Sequence, residues 1–456
     1  MTRKNDPRSR LLTDSPWKLV LSLSVPAIIG MVVVGLYNLM DAVYVGQMVG
    51  SQAMTAVSVS YPFTLVNTGI ATLIGVGSAS VLSRAIGKKD QNTVDKIMGN
   101  LIALDLLFSI VIMIVGMVFT KQILRLSGAE GEILDIATRY LRIVFAGSIF
   151  VNFAQSANMI MRGEGVLKRA MLISGGAAIL NIILDPLFIT VLNANGKGEE
   201  GAAYATVVSQ LVQAAVTLWY FLKKSQNVQI HGIRIEKGLL GEIFGIGFSA
   251  MLMQVMLLVQ QTVLYYVAAQ NGGDMWQTIL GATLRLQSFA FIPLWGLSQG
   301  YQPAAGTNYG AKRYDRVKYI TKIFSIVATL LAMIFYLPIM LAPRAMLSLF
   351  ITEPEIVAQG TADVRLFFSS YIVLGFWVII LTLMQSLGRA SKASVLVLLR
   401  QIVIYLPMAV FLPHIPKLGV HGLFCAPLIT DMVVLFVVVW MMCSEFKKMD
   451  RLRAER

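Results

Sequence analysis

Twelve runs of about 20 apolar residues, each bounded by charge or by glycine and proline, dominate this 456-residue chain. An α-helix rises about 1.5 Å per residue, so such a run crosses the roughly 30 Å hydrocarbon core of a bilayer. The runs fall near 17–41, 53–82, 97–120, 134–160, 170–192, 201–222, 240–269, 277–305, 319–342, 363–387, 394–413 and 419–443. Composition agrees, with 56% hydrophobic and 14% charged residues. A soluble domain carries roughly 25% charged residues, so this chain could not cover a soluble surface. In lipid every backbone polar group must be satisfied internally, and runs of this length do so as helices. The expected fold class is all-α integral membrane, with twelve transmembrane helices. The first run follows Arg3, Lys4, Arg8, Arg10 and Lys18. It is too long for a signal-peptide core and is expected to stay as the first span.

The 38 Lys and Arg against 24 Asp and Glu give a formal net charge of +14. In a soluble protein that balance suggests nucleic acid; in a polytopic one, basic residues gather in cytoplasmic loops. With the N-terminus inside, the five basic residues just named join Arg84, Lys88, Lys89 and Lys96, then Arg162, Lys168 and Arg169, then Lys223, Lys224, Arg234 and Lys237. Lys312, Arg313, Arg316, Lys318, Lys322, Arg389, Lys392, Lys447, Lys448, Arg451, Arg453 and Arg456 complete that side, a total of 28. The opposite loops hold Lys121, Arg125, Lys197, Arg344 and Lys417. The chain is therefore expected to lie in the cell (inner) membrane with both termini cytoplasmic, the lipid bilayer as its surroundings and no nucleic-acid partner. Cys425 and Cys443 lie in apolar runs without disulfide or zinc spacing.

An internal repeat runs through the chain. Gly77, Gly87, Lys89 and Val94 reappear at Gly300, Gly310, Lys312 and Val317, a constant offset of 223. Arg162-Gly163-Glu164-Gly165 with Lys168 answers Leu387-Gly388-Arg389-Ala390 with Lys392, while Pro186 and Gly201 answer Pro407 and Gly422. Two pseudo-symmetric six-helix lobes follow, an N-lobe over 1–222 and a C-lobe over 239–456, joined by the polar linker 223–238. Duplication of this kind is a transporter signature.

Ionisable side chains in hydrocarbon cost at least about 2.5–3.5 kcal/mol each, so each needs a reason. Four acids lie within spans: Asp41, Asp105, Asp185 and Asp431, with Arg285 as the basic residue expected well inside. Asn38 precedes Asp41 by three residues and Asn181 precedes Asp185 by four, each on a shared helical face. Pro186 removes a backbone hydrogen bond beside Asp185. Two carboxylates with amide neighbours suit a proton or cation site. The second half lacks these charges, carrying Leu264 and, by alignment on the prolines, Leu406. Asp431 is expected to pair with Arg285, and His231, His414 and His421 to carry no chemistry. Gly296-Leu297-Ser298-Gln299-Gly300 matches a nucleophile-elbow pattern, and Gly75-Val76-Gly77 opens a glycine-rich run. Both sit inside membrane helices, where small residues serve close packing. No metal-ligand cluster, phosphate loop or cofactor motif is present in the sequence.

Asn38-x-x-Asp41-x-x-x-Val45-Gly46, the Gly75–Gly87 stretch with Lys88-Lys89-Asp90, Arg162-Gly163-x-Gly165, Asn181-x-x-x-Asp185-Pro186 and Gly201-Ala202-Ala203-x-Ala205-Thr206 together resemble the multidrug and toxic compound extrusion (MATE) family, over essentially the whole chain. The resemblance implies two six-helix lobes around a central cavity, alternating access, and export of amphipathic organic cations in exchange for H+ or Na+. It implies no enzyme activity and no cofactor, and a monomer is the expected state. By resemblance to the branch with its coupling site in the N-lobe, the ion-coupling residues are Asp41, Asp185, Asn181 and Thr206, with Gln155 or Asn158 as the helix-four amide. Tyr37, Asn38 and Asn158 are the expected substrate-binding residues, and Pro26 matches a proline at which helix one bends. Either H+ or Na+ suits the Asp41/Asp185 carboxylates. The other branch uses acids on helices seven and ten; here helix seven has Gln254, Gln260 and Gln261, and helix ten has Asp363 at its outer edge.

Two competing functions follow from the same residues. A lipid-linked oligosaccharide flippase of the wider superfamily would favour a basic cavity, against the four acids here. A membrane-embedded enzyme would need clustered acids for Mg2+ or an intramembrane His nucleophile. The basic asymmetry makes a direct prediction. With native cysteines removed, a cysteine at Gly50 or Lys197 should react with impermeant reagents from outside, and one at Lys89 or Gln226 only from inside. Outside labelling at Lys89 would invert the topology.

Overall fold

A computed structural model describes residues 7–126, 129–194, 196–225 and 228–455. Gln226 and the side chain of Asn38 lie outside the described residues. Helix one is Val25–Tyr44, entered through a turn at Pro16–Leu19 and a π-helical stretch at Val20–Ser24. Helices two and three are Ser51–Lys88 and Gln91–Leu126; helix four is the pair Gly131–Ala146 and Ser148–Gly163, bent by 53° at Gly147. Helices five and six are Leu167–Asn193 and Gly198–Trp219. Lys237–Gly310 covers 74 residues with a non-helical Gly273 inside. At about 1.5 Å per residue it is several times a bilayer's thickness, so its two arms are helices seven and eight. Helix nine is Tyr314–Leu341, and helix ten is Pro354–Phe368 with Tyr371–Ser386. Helix eleven is Ala390–Leu398, a π-helical Leu399–Ile404 and Tyr405–Phe411; helix twelve is His421–Ala454.

The repeat is written into the backbone. Left-handed backbone recurs at Gly50 and Gly273, Lys89 and Lys312, Gly165 and Gly388, and Gly196 and Gly419, every pair 223 apart. Lys89 and Lys312 are the only non-glycine residues with positive φ among those described. Each closes a helix in the same way: Lys89 N–H bonds Ile86 and Asp90 N–H bonds Ala85, as Lys312 N–H bonds Tyr309 and Arg313 N–H bonds Asn308. Asp90 also caps helix three. The Thr93 hydroxyl and backbone N–H both donate to its carboxylate, holding it below the usual carboxylate range. This frame sets Met408, and not the expected Leu406, opposite Asp185; the charge is absent in either register.

By packing, the chain forms two compact units, Met1–Arg10 with Ile29–Met251, and Leu11–Ile28 with Leu252–Arg456. In the first, the start of helix seven lies directly on helix two. A Cβ at Gly77 would overlap the Ile243 carbonyl, and one at Gly247 the Leu73 carbonyl. Arg84 pairs with Glu242 across the same contact. In the second, the start of helix one lies on helix eight at Gly296 and Gly300, against Ile28, Leu23 and Ser24. Asn308 Nδ2 and Arg313 Nη1 then hold the carbonyls of Leu11 and Leu12 at 2.9 and 2.8 Å. The two glycine pairs that mimic catalytic motifs are thus close-packing positions.

Gly77→Leu must push the helix-seven backbone away, whereas Gly176 has open space beside it. Gly77→Leu should lower the monodisperse fraction on size-exclusion chromatography and the apparent melting temperature; Gly176→Leu should change neither.

Candidate functional site

Helices one, five and six of the first unit bring the acidic residues together. Tyr37 and Asp41 stand four apart on helix one, and Asn181 and Asp185 four apart on helix five, so each pair shares a face. Asp185 and Asn181 are 0% and 1% exposed. Asn181 Nδ2 donates to Asp185 Oδ1 at 3.3 Å and to Thr206 Oγ1 at 3.4 Å. Turned over, the amide donates to Asp185 Oδ2 and accepts from the Thr206 backbone N–H, both at 3.3 Å. Either way it bridges the carboxylate to helix six. Asp41 Oδ1 is sealed from solvent without a hydrogen-bond partner. The two carboxylates lie within electrostatic reach of each other, and Tyr37 and Tyr140 within reach of both. No basic side chain pairs with either acid among the described residues.

One helical turn beyond each polar residue, the surroundings become apolar. Val45 follows Asp41 by four, Ile189 follows Asp185 by four, and Ala202 precedes Thr206 by four; all three are 0% exposed. They pack in one cluster with Tyr140, Leu141, Val144 and Phe145 of helix four. Past it, Asn193 Nδ2 donates to the Met48 carbonyl at 3.1 Å and ties helix five to the end of helix one. Pro186 is accommodated inside a continuous helix five, and Thr190 Oγ1 bonds its carbonyl at 2.7 Å. A carboxylate pair beside such a cluster has little water to share its charge, which makes its protonation or cation occupancy sensitive to small changes.

The helix-four amides sit elsewhere. Asn158 Nδ2 donates to the Ala170 carbonyl at 2.8 Å, fifteen residues or about 22 Å along helix five from Asp185. Gln155 is half-buried, next to Ala154, whose carbonyl accepts from Gln213; Gln213 is seven residues, about 10 Å, beyond Thr206. Pro26 stands two residues after the π-helical Val20–Ser24, and the boundary between the units falls just beyond it, after Ile28. The sequence reading passed over Tyr140. An amphipathic stretch such as Arg139-Tyr140-Leu141 gives no sign that its tyrosine faces two acids on other helices.

In the second unit, one expectation is corrected. Asp431 pairs with Arg400, Nε to Oδ1 3.0 Å, and not with Arg285, which is exposed. Ser370 Oγ donates to the other carboxylate oxygen at 2.7 Å, at the break in helix ten, and the Arg400 guanidinium lies 5.0 Å from the Trp377 ring centre. Arg400 lies in the π-helical turn of helix eleven, six residues inside the run 394–413, and the sequence reading passed over it. His421 also has a partner. Its Nδ1 is 2.7 Å from Asp363 Oδ1, and the Trp276 ring meets the imidazole edge-on. Asp363 is 2% exposed.

The chain also resembles known proteins. The MatE family pattern matches residues 26–187 and 244–411. The multidrug export protein MepA of Staphylococcus saprophyticus is 26% identical over 393 residues, 86% of each chain. Among solved structures, a MOP superfamily transporter from Pyrococcus furiosus superposes with a TM-score of 0.90 at 26% identity, covering 98% of this chain and 99% of that one. That transporter is described as having a binding pocket of reversed polarity that suggests a different function. The outward-facing conformation of a multidrug resistance MATE family transporter matches at 0.89 and 27%, covering 96% and 98%.

The ion-pair correction is testable. Asp431→Asn leaves the Arg400 guanidinium buried without a counter-charge, a change that costs about 3–5 kcal/mol. It should lower the apparent melting temperature and folded yield, while Arg285→Gln stays close to the unmodified protein. The opposite ranking would restore Arg285 as the partner.

Proposed function

This chain belongs to the MatE family, and from that premise we propose that it is a secondary active multidrug efflux antiporter, exporting amphipathic organic cations in exchange for H+ or Na+ by alternating access. As a member of a transporter family with twelve helical spans, it is a multi-pass membrane protein. The observation that carries the proposal is the pair Asp41 and Asp185, sunk in the first unit without a basic partner among the described residues and joined to helix six through Asn181. Relatives named multidrug export proteins support the class of cargo. Unneutralised acids favour cations over a pyrophosphate-linked lipid, which weighs against the flippase reading. The 28-to-5 split of basic residues supports cytoplasmic termini in the cell membrane.

In the proposed cycle the carboxylate pair holds either the coupling ion or the influence of a cationic drug. A proton or Na+ entering from outside neutralises Asp185 and, with Asp41, removes the charge that favours a bound cation; release of the ion inside restores it. One charge crossing the membrane field gains about 2.3 kcal/mol per 100 mV, and each pKa unit is worth about 1.4 kcal/mol. Steps of that size shift a two-state equilibrium by tenfold or more.

Asp185→Asn keeps size and hydrogen bonding while fixing the neutral state. It should abolish gradient-driven dye efflux in cells lacking other pumps, with normal amounts of protein in the membrane fraction; Asp41→Asn should abolish or weaken it. Near-normal efflux by Asp185→Asn would remove this pair from the mechanism.

A further inference from the structure

The transport proposal leaves unused a second polar constellation in the first unit, between helices three and four. These helices run antiparallel, and their side chains meet as rungs. Ser156 Oγ donates to Asp105 Oδ2, and Asn152 Nδ2 donates to Ser109 Oγ at 2.8 Å. Asp105 and Ser109 stand four apart, as do Asn152 and Ser156, so each pair shares a face. All four residues are between 0% and 2% exposed. Two of their oxygens, Asp105 Oδ1 and Asn152 Oδ1, are sealed from solvent without a partner. Among the described residues no Lys, Arg or His pairs with Asp105. No group of three His, Cys, Asp or Glu suited to a divalent metal is found among them either.

The fold does not require polar groups here. At the offset of 223 the four positions are Ala328, Ala332, Gly375 and Ile379, and all are buried. Gly375 there lets helix ten lie against the Ala328 carbonyl. The second unit closes the same helix contact with apolar packing, while the first keeps a carboxylate, an amide and two hydroxyls at the matching places. Retaining them in hydrocarbon is costly unless they hold something.

We propose that Asp105, Ser109, Asn152 and Ser156 form a buried site for one sodium ion, separate from the Asp41/Asp185 pair. Every available ligand is an oxygen, the donor type that hard cations take. One negative charge matches one monovalent cation, and the ion gives both unpartnered oxygens a role. The site also adjoins the 53° bend at Gly147, five residues before Asn152. Broken helices at membrane depth commonly line ion sites. Bound there, sodium pins the Ser148–Gly163 arm of helix four to helix three.

The test uses the purified full-length chain in detergent at pH 8, in sodium chloride or in choline chloride of equal ionic strength. Apparent melting temperature and radiolabelled sodium binding are both read. Sodium should raise the melting temperature by about 1–2 °C at tenfold saturation, in the unmodified protein and still in Asp185→Asn, whose own carboxylate site is disabled. The rise and the matching bound sodium should vanish when Asp105→Asn is added to Asp185→Asn. Should that variant fold poorly, Asn152→Ala should unfold normally in choline but need at least tenfold more sodium. Absence of a sodium response in the unmodified protein and Asp185→Asn, or an undiminished response in Asp105→Asn or Asn152→Ala, would overturn the proposal. Because Asp185→Asn carries its own arm, failure here is distinguishable from failure of the antiport mechanism.

Discussion

A carboxylate placed in hydrocarbon must be neutralised, and the way each one is neutralised organises this protein. In the second unit the protein supplies the counter-group itself. Asp431 has the Arg400 guanidinium and a serine hydroxyl. In the first unit Asp185 has the Asn181 amide and Asp105 the Ser156 hydroxyl, Asp41 Oδ1 has no hydrogen-bond partner, and none of the three has a basic partner among the described residues. Fixed partners make a structural charge; their absence makes a charge that an exchangeable ion can answer. The division of labour between the two halves is therefore electrostatic.

The backbone of the two halves is otherwise alike. Four pairs of left-handed residues hold the 223-residue offset, and the break in helix four at Gly147 has its counterpart in the break at Ser370 in helix ten. On that shared frame, the segment entering helix one and its first residues, Leu11–Ile28, pack with the second unit, and the start of helix seven packs with the first. The boundary between the units thus falls just past Pro26, four residues into helix one, and within helix seven after Met251. Glycines at the crossings let backbones meet directly, so these contacts depend on small residues and have little tolerance for side chains.

Much of the fold was legible because its signals are one-dimensional. Span length, the basic bias of loops and a constant repeat offset are properties of position along the chain, and all twelve spans follow from them. The Asp185–Asn181 hydrogen bond was legible for the same reason, since a spacing of four on a helix is contact. Partners from distant segments were not. Arg400 and Asp431 are 31 residues apart, and Asp363 and His421 are 58 apart. Nothing in the spacing distinguishes Arg400 from Arg285, and Tyr140 looks like any amphipathic aromatic. The exact 223 offset over helix five was also hidden, because Pro186 and Pro407 invite an alignment that the left-handed glycines do not support.

The central claim is that a cationic drug and a coupling ion answer to the same unpaired carboxylates. Direct measurement of ion release tests it most closely: a lipophilic cation is added to the purified protein in weakly buffered detergent solution, with a pH indicator and a sodium electrode recording together. Drug binding should displace protons or sodium in a fixed ratio to drug bound, and Asp185→Asn should bind drug more weakly without that release. Binding with no release of either ion, or the same release from Asp185→Asn, would contradict the account.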